Sequence, residues 1–283
     1  MFKRQRTGSV VCPGCGYLVG VNDDRCYNCG RANPSLWGFS PLIRSLGQDL
    51  GFIYVIMGGT IILYVLTLVW SGPEGVGGGL TSLLAPSVRA NIIFGASGAL
   101  PVFQFGRWWT VLSAGWLHGG LLHIAFNLLW VRQLAPETAE LYGPGRTVII
   151  YTAASMVGFT ISSVMGVLLP GLPVIGGSVV TVGASAPIFG LLGAQVCYSH
   201  RTGSHLAGAV AWQYAVILFF FGLIMPGVDN WAHAGGFAGG YAAAWLLNPS
   251  KAEGIDHLIG ALVCLAATAA AIIASVVTVY MPR

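Results

Sequence analysis

Hydropathy along the chain rises and falls seven times. Apolar runs at about 52–70, 114–134, 147–169, 185–199, 206–225, 231–247 and 257–280 alternate with polar or glycine-rich connections. Each approaches the ~20 residues that cross a bilayer as a helix, with the fourth and sixth short. Segment 71–107 breaks the rhythm. Rich in Gly, Pro and Ser, it is too polar to cross and too long for a simple turn. It reads as an interfacial segment, where Trp108, Trp109 and Trp116 would be at home. A second glycine-rich connection covers 170–182. Short, glycine-rich helices around polar positions predict a cavity open to water. Residues 1–35 carry no apolar run, and 36–51 read as a polar, proline-interrupted linker.

Composition agrees with this pattern. The chain of 283 residues is 55% hydrophobic and 8% charged, against about 25% charged in a soluble domain, and its mean hydropathy is +0.75. A soluble enzyme is excluded. The expected class is an all-α polytopic membrane protein, with its 41 glycines suited to close helix packing. A net charge of +4 carries topology information and is no nucleic-acid footprint, so no nucleic-acid partner is expected. Lys3, Arg4, Arg6, Arg25, Arg31 and Arg44 precede the first span; Arg132 and Arg146 flank the connection from the second to the third, and Arg201 and Lys251 fall in later connections. Seven helices with the N-terminus inside put all of these on one face, leaving Arg89 and Arg107 as exceptions. The positive-inside rule therefore predicts a cytosolic N-terminus. No apolar stretch follows the basic start, so no cleavable signal peptide is expected.

The N-terminal module has its own chemistry. Cys12-x2-Cys15 and Cys26-x2-Cys29 sit in glycine-assisted turns. Each pair can point two thiolates at one ion, and two pairs close a tetrahedral shell. Structural Zn2+ is the expected metal, with iron the alternative. Four cysteines leave no open position for catalysis. The module resembles short zinc ribbons and would offer a surface to a cytosolic protein partner. Cys197 and Cys264 lie in or near apolar spans and read as packing residues.

A different set of polar residues marks the membrane spans. Ser185 follows Gly183 and Ala184 and opens an apolar helix. His233 stands in NWAHAGGFAGG, and His123 and Asn127 share a face of a third helix at i, i+4. Singly, each has a structural reading: a hydroxyl in a membrane helix, a packing histidine, an interhelical hydrogen-bond pair. Together, with Ser185 and His233 both near the start of inward-running helices, they fit acyl transfer. A histidine can take the serine proton, and Asn127, His123 and the Ser185 amide can stabilise an oxyanion. No acidic residue sits in the inner spans to complete a triad, so the histidine would be oriented by packing. Phe189, four residues beyond Ser185, is placed to stack on it. Gly235, Gly236, Gly239 and Gly240 form two GxxxG ridges that would bring the sixth span close to the fourth. Ser97, in Gly95–Gly98, is a second serine in a glycine-rich loop, but no long apolar helix follows it.

These motifs resemble the rhomboid family of intramembrane serine proteases. The matching elements are Gly183-Ala-Ser185 leading to Gly190 and Ala194, Ala232-His233-x-Gly235-Gly236-x3-Gly240, His118-Gly-Gly120 with His123-x3-Asn127, and the pair Trp108-Trp109. The resemblance covers about 52–248. It implies a six-helix core with a seventh helix at 249–283, behind the zinc-ribbon module at 1–35. It also implies Ser185 as nucleophile, His233 as base, His123 and Asn127 at the oxyanion, His118 as a structural residue, and no cofactor for catalysis. Substrates would be transmembrane proteins in the bilayer, cleaved near helix-breaking residues. The expected location is a bacterial inner (cell) membrane. The chain departs from the family pattern at Ala186-Pro187, where glycine commonly follows the serine. It departs again at Thr110, where arginine often follows the tryptophan. Near Gly143-Pro-Gly145, Glu137 and Glu140 are out of register with the usual glutamate. An inactive, client-binding protein of the same fold is the alternative; a transporter would show an inverted repeat and midplane charges, and neither is seen.

Overall fold

A computed structural model describes residues 4–12, 15–40, 50–75, 83–172, 175–251 and 253–280. Most of the expected linker, with Arg44, and the topology residue Lys3 lie outside the described residues. At the N-terminus, β1 (Ser9–Val11) and β2 (Leu18–Gly20) pair antiparallel, with Val10 opposite Val19. Val10, Val19 and Val21 pack with Cys12 and Cys26. A core this small needs a metal or a cross-link to hold it.

Helix α1 (Phe52–Ser71) is followed by two short helices, α2 (Val88–Phe94) and α3 (Thr110–Ser113). Six long helices complete the described chain: α4 (Leu121–Tyr142), α5 (Pro144–Leu168), α6 (Ser185–Thr202), α7 (His205–Ile224), α8 (Asn230–Leu246) and α9 (Ile255–Tyr280). Among the described residues, three stretches, Phe52–Gly75, Pro144–Leu168 and Ile255–Val279, are long and apolar enough by themselves to cross a membrane. The outward faces of α1, α7 and α9 expose Tyr54, Val69, Phe220, Ile224 and Leu262, as lipid-facing helices do. Helix α6 is buried along nearly its whole length, which makes it the axis of the bundle.

The second apolar run does not coincide with its helix. Gly120 is fully extended, so α4 starts only at Leu121 and runs on past Leu134 through Pro136 to Tyr142. Its last turns carry Glu137 and Glu140, which hydropathy reads as loop although the backbone continues to coil. Thr138 Oγ1 donates to the Leu134 carbonyl at 2.8 Å there. The turn Gly143-Pro144-Gly145 is braced from far along the chain. Glu253 accepts the Arg146 amide at 2.9 Å at the start of α5, and burial holds its carboxyl above the usual range. Glu137 turns the other way and accepts from Gln195 of α6 at 3.4 Å.

Segment 83–120 enters the core instead of only lying on a surface. Ser97 and Thr181 exchange both backbone hydrogen bonds (3.0 and 2.8 Å), tying this segment to the connection before α6. Gly98 is required where the two strands meet: its φ is +120°, and a Cβ would lie 2.5 Å from the Val179 carbonyl. Trp108 is exposed, Trp109 donates to Ser275 of α9 at 3.0 Å, and Trp116 is buried against Gly59 of α1. Arg107 reaches back to the Ile92 carbonyl at 3.2 Å. The segment is therefore anchored through Arg107 and Trp109, with Thr110 bonded to the Arg107 carbonyl at 2.8 Å.

Helices also pack backbone to backbone. The two glycine ridges of α8 serve different neighbours. Cβ atoms at Gly236 and Gly240 would collide with the backbones of Ala186 and Gly190 on α6, whereas at Gly235 and Gly239 they would meet Gly158 and Val157 on α5. Bare backbones allow such approach where there is no hydrophobic drive between helices. Gly240→Val should therefore cost about 1–3 kcal/mol or more through overpacking. Gly58→Ala, in α1 with nothing within 4 Å, should leave stability unchanged or raise it by up to about 1 kcal/mol. Unfolding in detergent micelles measures both.

Candidate active site

The site forms where the segment 114–123 meets the turn before α6. Gly183 donates to the Ala114 carbonyl at 3.0 Å, and Ala184 donates to His118 Nε2 at 3.4 Å. Gly183 has φ +137°, and a Cβ there would lie 2.7 Å from His123 Nε2 and 3.6 Å from Ser185 Oγ. Only glycine meets both the backbone conformation and the close approach. Ser185 then begins α6, half-buried. Pro187 falls in the first turn, where amides have no helical partner, so its missing N–H removes nothing. Ala186 is accommodated because the helices facing it present Gly158 on α5 and Gly236 on α8.

His123 Nδ1 accepts from the Gly119 amide at 3.4 Å. In a neutral ring that assigns the proton to Nε2, the atom facing Gly183. His118 is fully buried, and its ring stands edge-on to His123 at 5.0 Å. Asn127, one turn further along α4, is buried with its Nδ2 atom unpartnered among the described residues. An amide donor left free in an apolar interior costs free energy unless something takes its hydrogen bond. On α8, His233 is buried, and the Phe189 ring lies on it at 4.3 Å between centroids and 15° between planes. Ser185, His123, Asn127, Phe189 and His233 thus come from three helices to one end of the bundle. Ser97 does not join them. It is fully buried and bonded to Ser163 and Thr110, both at 3.4 Å.

Two acidic residues had no place in the sequence reading. Asp229 caps α8 one turn before His233, and Glu253 caps α5. Asp229 was legible as a capping residue directly before an apolar helix, although it lies outside the inner spans.

At the N-terminus, the four cysteine sulfurs lie within 4.8 Å of one another. Cys12 and Cys29 are 3.7 Å apart, and Cys15 and Cys26 3.6 Å. Sulfurs bound at ~2.3 Å to one tetrahedral ion stand about 3.8 Å apart, so the cluster fits a metal ion. The exposed thiols are already polarised. Hydrogen bonding from Asn28 helps lower Cys15 to about 6. Cys29 is raised to about 12; the Arg31 amide pulls it down, and hydrogen bonding with Cys15, burial, and hydrogen bonding with Cys26 and Cys12 together outweigh that.

The rhomboid domain model matches residues 105–250, just over half of the chain. Rhomboid protease GluP of Bacillus subtilis (strain 168) is 31% identical over 181 residues, 63% of this chain and 33% of that protein. RHOMBOID-like protein 4 of Arabidopsis thaliana is 28% identical over 169 residues, 58% of this chain and 40% of that protein. Rhomboid-like protease 3 of Toxoplasma gondii is 25% identical over 194 residues, 66% of each. The chain therefore spans about a third of the length of the Bacillus relative. The chain belongs to the rhomboid family of integral membrane proteins.

The cysteine cluster gives a direct prediction. Elemental analysis of the purified chain should find one metal ion per molecule, absent in Cys26→Ser. Thiols must lose protons to bind it, so the ion should be released as pH falls.

Proposed function

We propose that this chain is an intramembrane serine endopeptidase acting through Ser185 and His233. The single observation that carries the reading is the α6–α8 contact. It supports a serine at the head of α6 paired with a histidine on α8, with Phe189 of α6 stacked on that histidine. In the reaction, Ser185 Oγ passes its proton to His233 and bonds the substrate carbonyl carbon. The developing oxyanion accepts hydrogen bonds from Asn127 Nδ2, His123 Nε2 and the Ser185 amide. The imidazolium then gives its proton to the leaving amine. Water, activated by the same histidine, hydrolyses the acyl-enzyme and restores Ser185. Stacking on Phe189 orients the base, and His118 holds the turn before the serine without touching substrate.

Transmembrane proteins are the proposed substrates, cut where helix-breaking residues let them unwind into the site. The proposed setting is a bacterial inner membrane with the N-terminus in the cytosol, in line with the basic residues of the inner connections. The four-cysteine module is proposed to hold structural Zn2+, through Cys12, Cys15, Cys26 and Cys29, and to present a surface to a cytosolic protein. Its closed donor set supplies folding, not catalysis.

Cleavage of a transmembrane reporter in proteoliposomes tests the assignment. Ser185→Ala and His233→Ala should abolish cleavage, and Asn127→Ala should lower kcat roughly 10²–10³-fold, as loss of one oxyanion donor does. Ser97→Ala should still cleave. Cleavage that survives Ser185→Ala would overturn the site. A folded wild type that captures reporters without cutting them would favour client binding instead.

A further inference from the structure

His233 Nδ1 is buried without a hydrogen-bond partner among the described residues, and a carboxylate stands one turn before it. Asp229 caps α8 through two bonds of different purpose. One oxygen accepts the Ala232 amide at 3.0 Å. The other accepts the hydroxyl of Ser162, a fully buried residue on α5, at 2.5 Å. The Asp229 carbonyl also accepts the His233 amide at 3.1 Å. The carboxylate thus ties the turn that carries His233 to a neighbouring helix.

Capping alone does not need a charge, since Asn caps as well as Asp. Proton transfer from Ser185 does create one. The imidazolium forms in an apolar setting, where a positive charge without a counter-charge is costly. Among the described residues, the titratable groups that act on the ring are Asp229 and His123, and of these only Asp229 can carry a negative charge. We propose that Asp229 is a positioning residue for His233: it fixes the first turn of α8, and its charge, held in place by Ser162, stabilises the imidazolium. The inference rests on the Ser185–His233 reading. It adds a carboxylate that acts across one helical turn without a hydrogen bond to the ring.

The test compares the rate at which an alkyl fluorophosphonate modifies Ser185, alongside thermal stability, in wild type, Asp229→Asn, Asp229→Ala and Ser162→Ala. Asparagine keeps the cap to Ala232, and the Ser162 hydroxyl can turn to accept from its amide. Asp229→Asn should therefore stay folded but react roughly tenfold more slowly or worse, because only the charge is gone. Asp229→Ala should lose both rate and stability. An Asp229→Asn variant that reacts at the wild-type rate would reduce Asp229 to a helix cap and overturn the inference alone. A folded wild type that does not react overturns the dyad and this inference with it. If Asp229→Asn does not fold, Ser162→Ala decides: the charge then remains but is untethered, a severalfold slower reaction supports the role, and an unchanged rate overturns it.

Discussion

Backbone contact between α6 and α8 is the constraint on which the rest of the molecule depends. Inside a bilayer, apolar side chains gain little by leaving lipid for protein, so helices associate through close van der Waals fit. Here that fit is made by glycine against backbone, with Gly240 on Gly190 and Gly236 on the Ala186 carbonyl. The same contact fixes the depth of Ser185 relative to His233. Widening it by one methyl group on either face would separate the two residues and leave the stacked pair of Phe189 and His233 without its frame.

A second constraint follows from the membrane. Each polar group that the site needs must be held by protein, because lipid offers it nothing. The pinning is visible in the turn before α6, where the Gly183 and Ala184 amides go to Ala114 and His118. It recurs in the Ser97–Thr181 pairing and in the Asp229 cap. Among the buried polar atoms without partners in the described residues, Asn127 Nδ2 and His233 Nδ1 belong to residues to which acyl transfer assigns work, whereas Thr60 Oγ1 and Tyr151 OH do not. Helix α9 contributes at a distance. Ser275 holds Trp109 near one end, and Glu253, just before its first turn, braces the start of α5.

Much of this was legible in the sequence because membrane helices announce themselves through long apolar runs, and glycine spacing on α8 declares a close neighbour. The seven runs correspond to the seven long helices, and the paired cysteines meet in one cluster. Hydropathy failed where helix and apolar run part company. The backbone of α4 begins late, behind Gly120, and ends late, beyond Pro136. Pattern alone gave no sign that α2 and its loop enter the core, since the pairing of Ser97 with Thr181 spans more than eighty residues. The carboxylates were hardest to read: Asp229 and Glu253 lie in connections, and their partners Ser162 and Arg146 are far off in the chain.

The central claim is that Ser185 is a nucleophile activated by His233 across the α6–α8 contact. Peptide mass mapping after reaction with a fluorophosphonate in a lipid bilayer tests it most directly. The account predicts a single adduct on the peptide that contains Ser185, lost when His233 is replaced by alanine in protein that remains folded. An adduct on another residue, or one on Ser185 that forms equally well without His233, would contradict it.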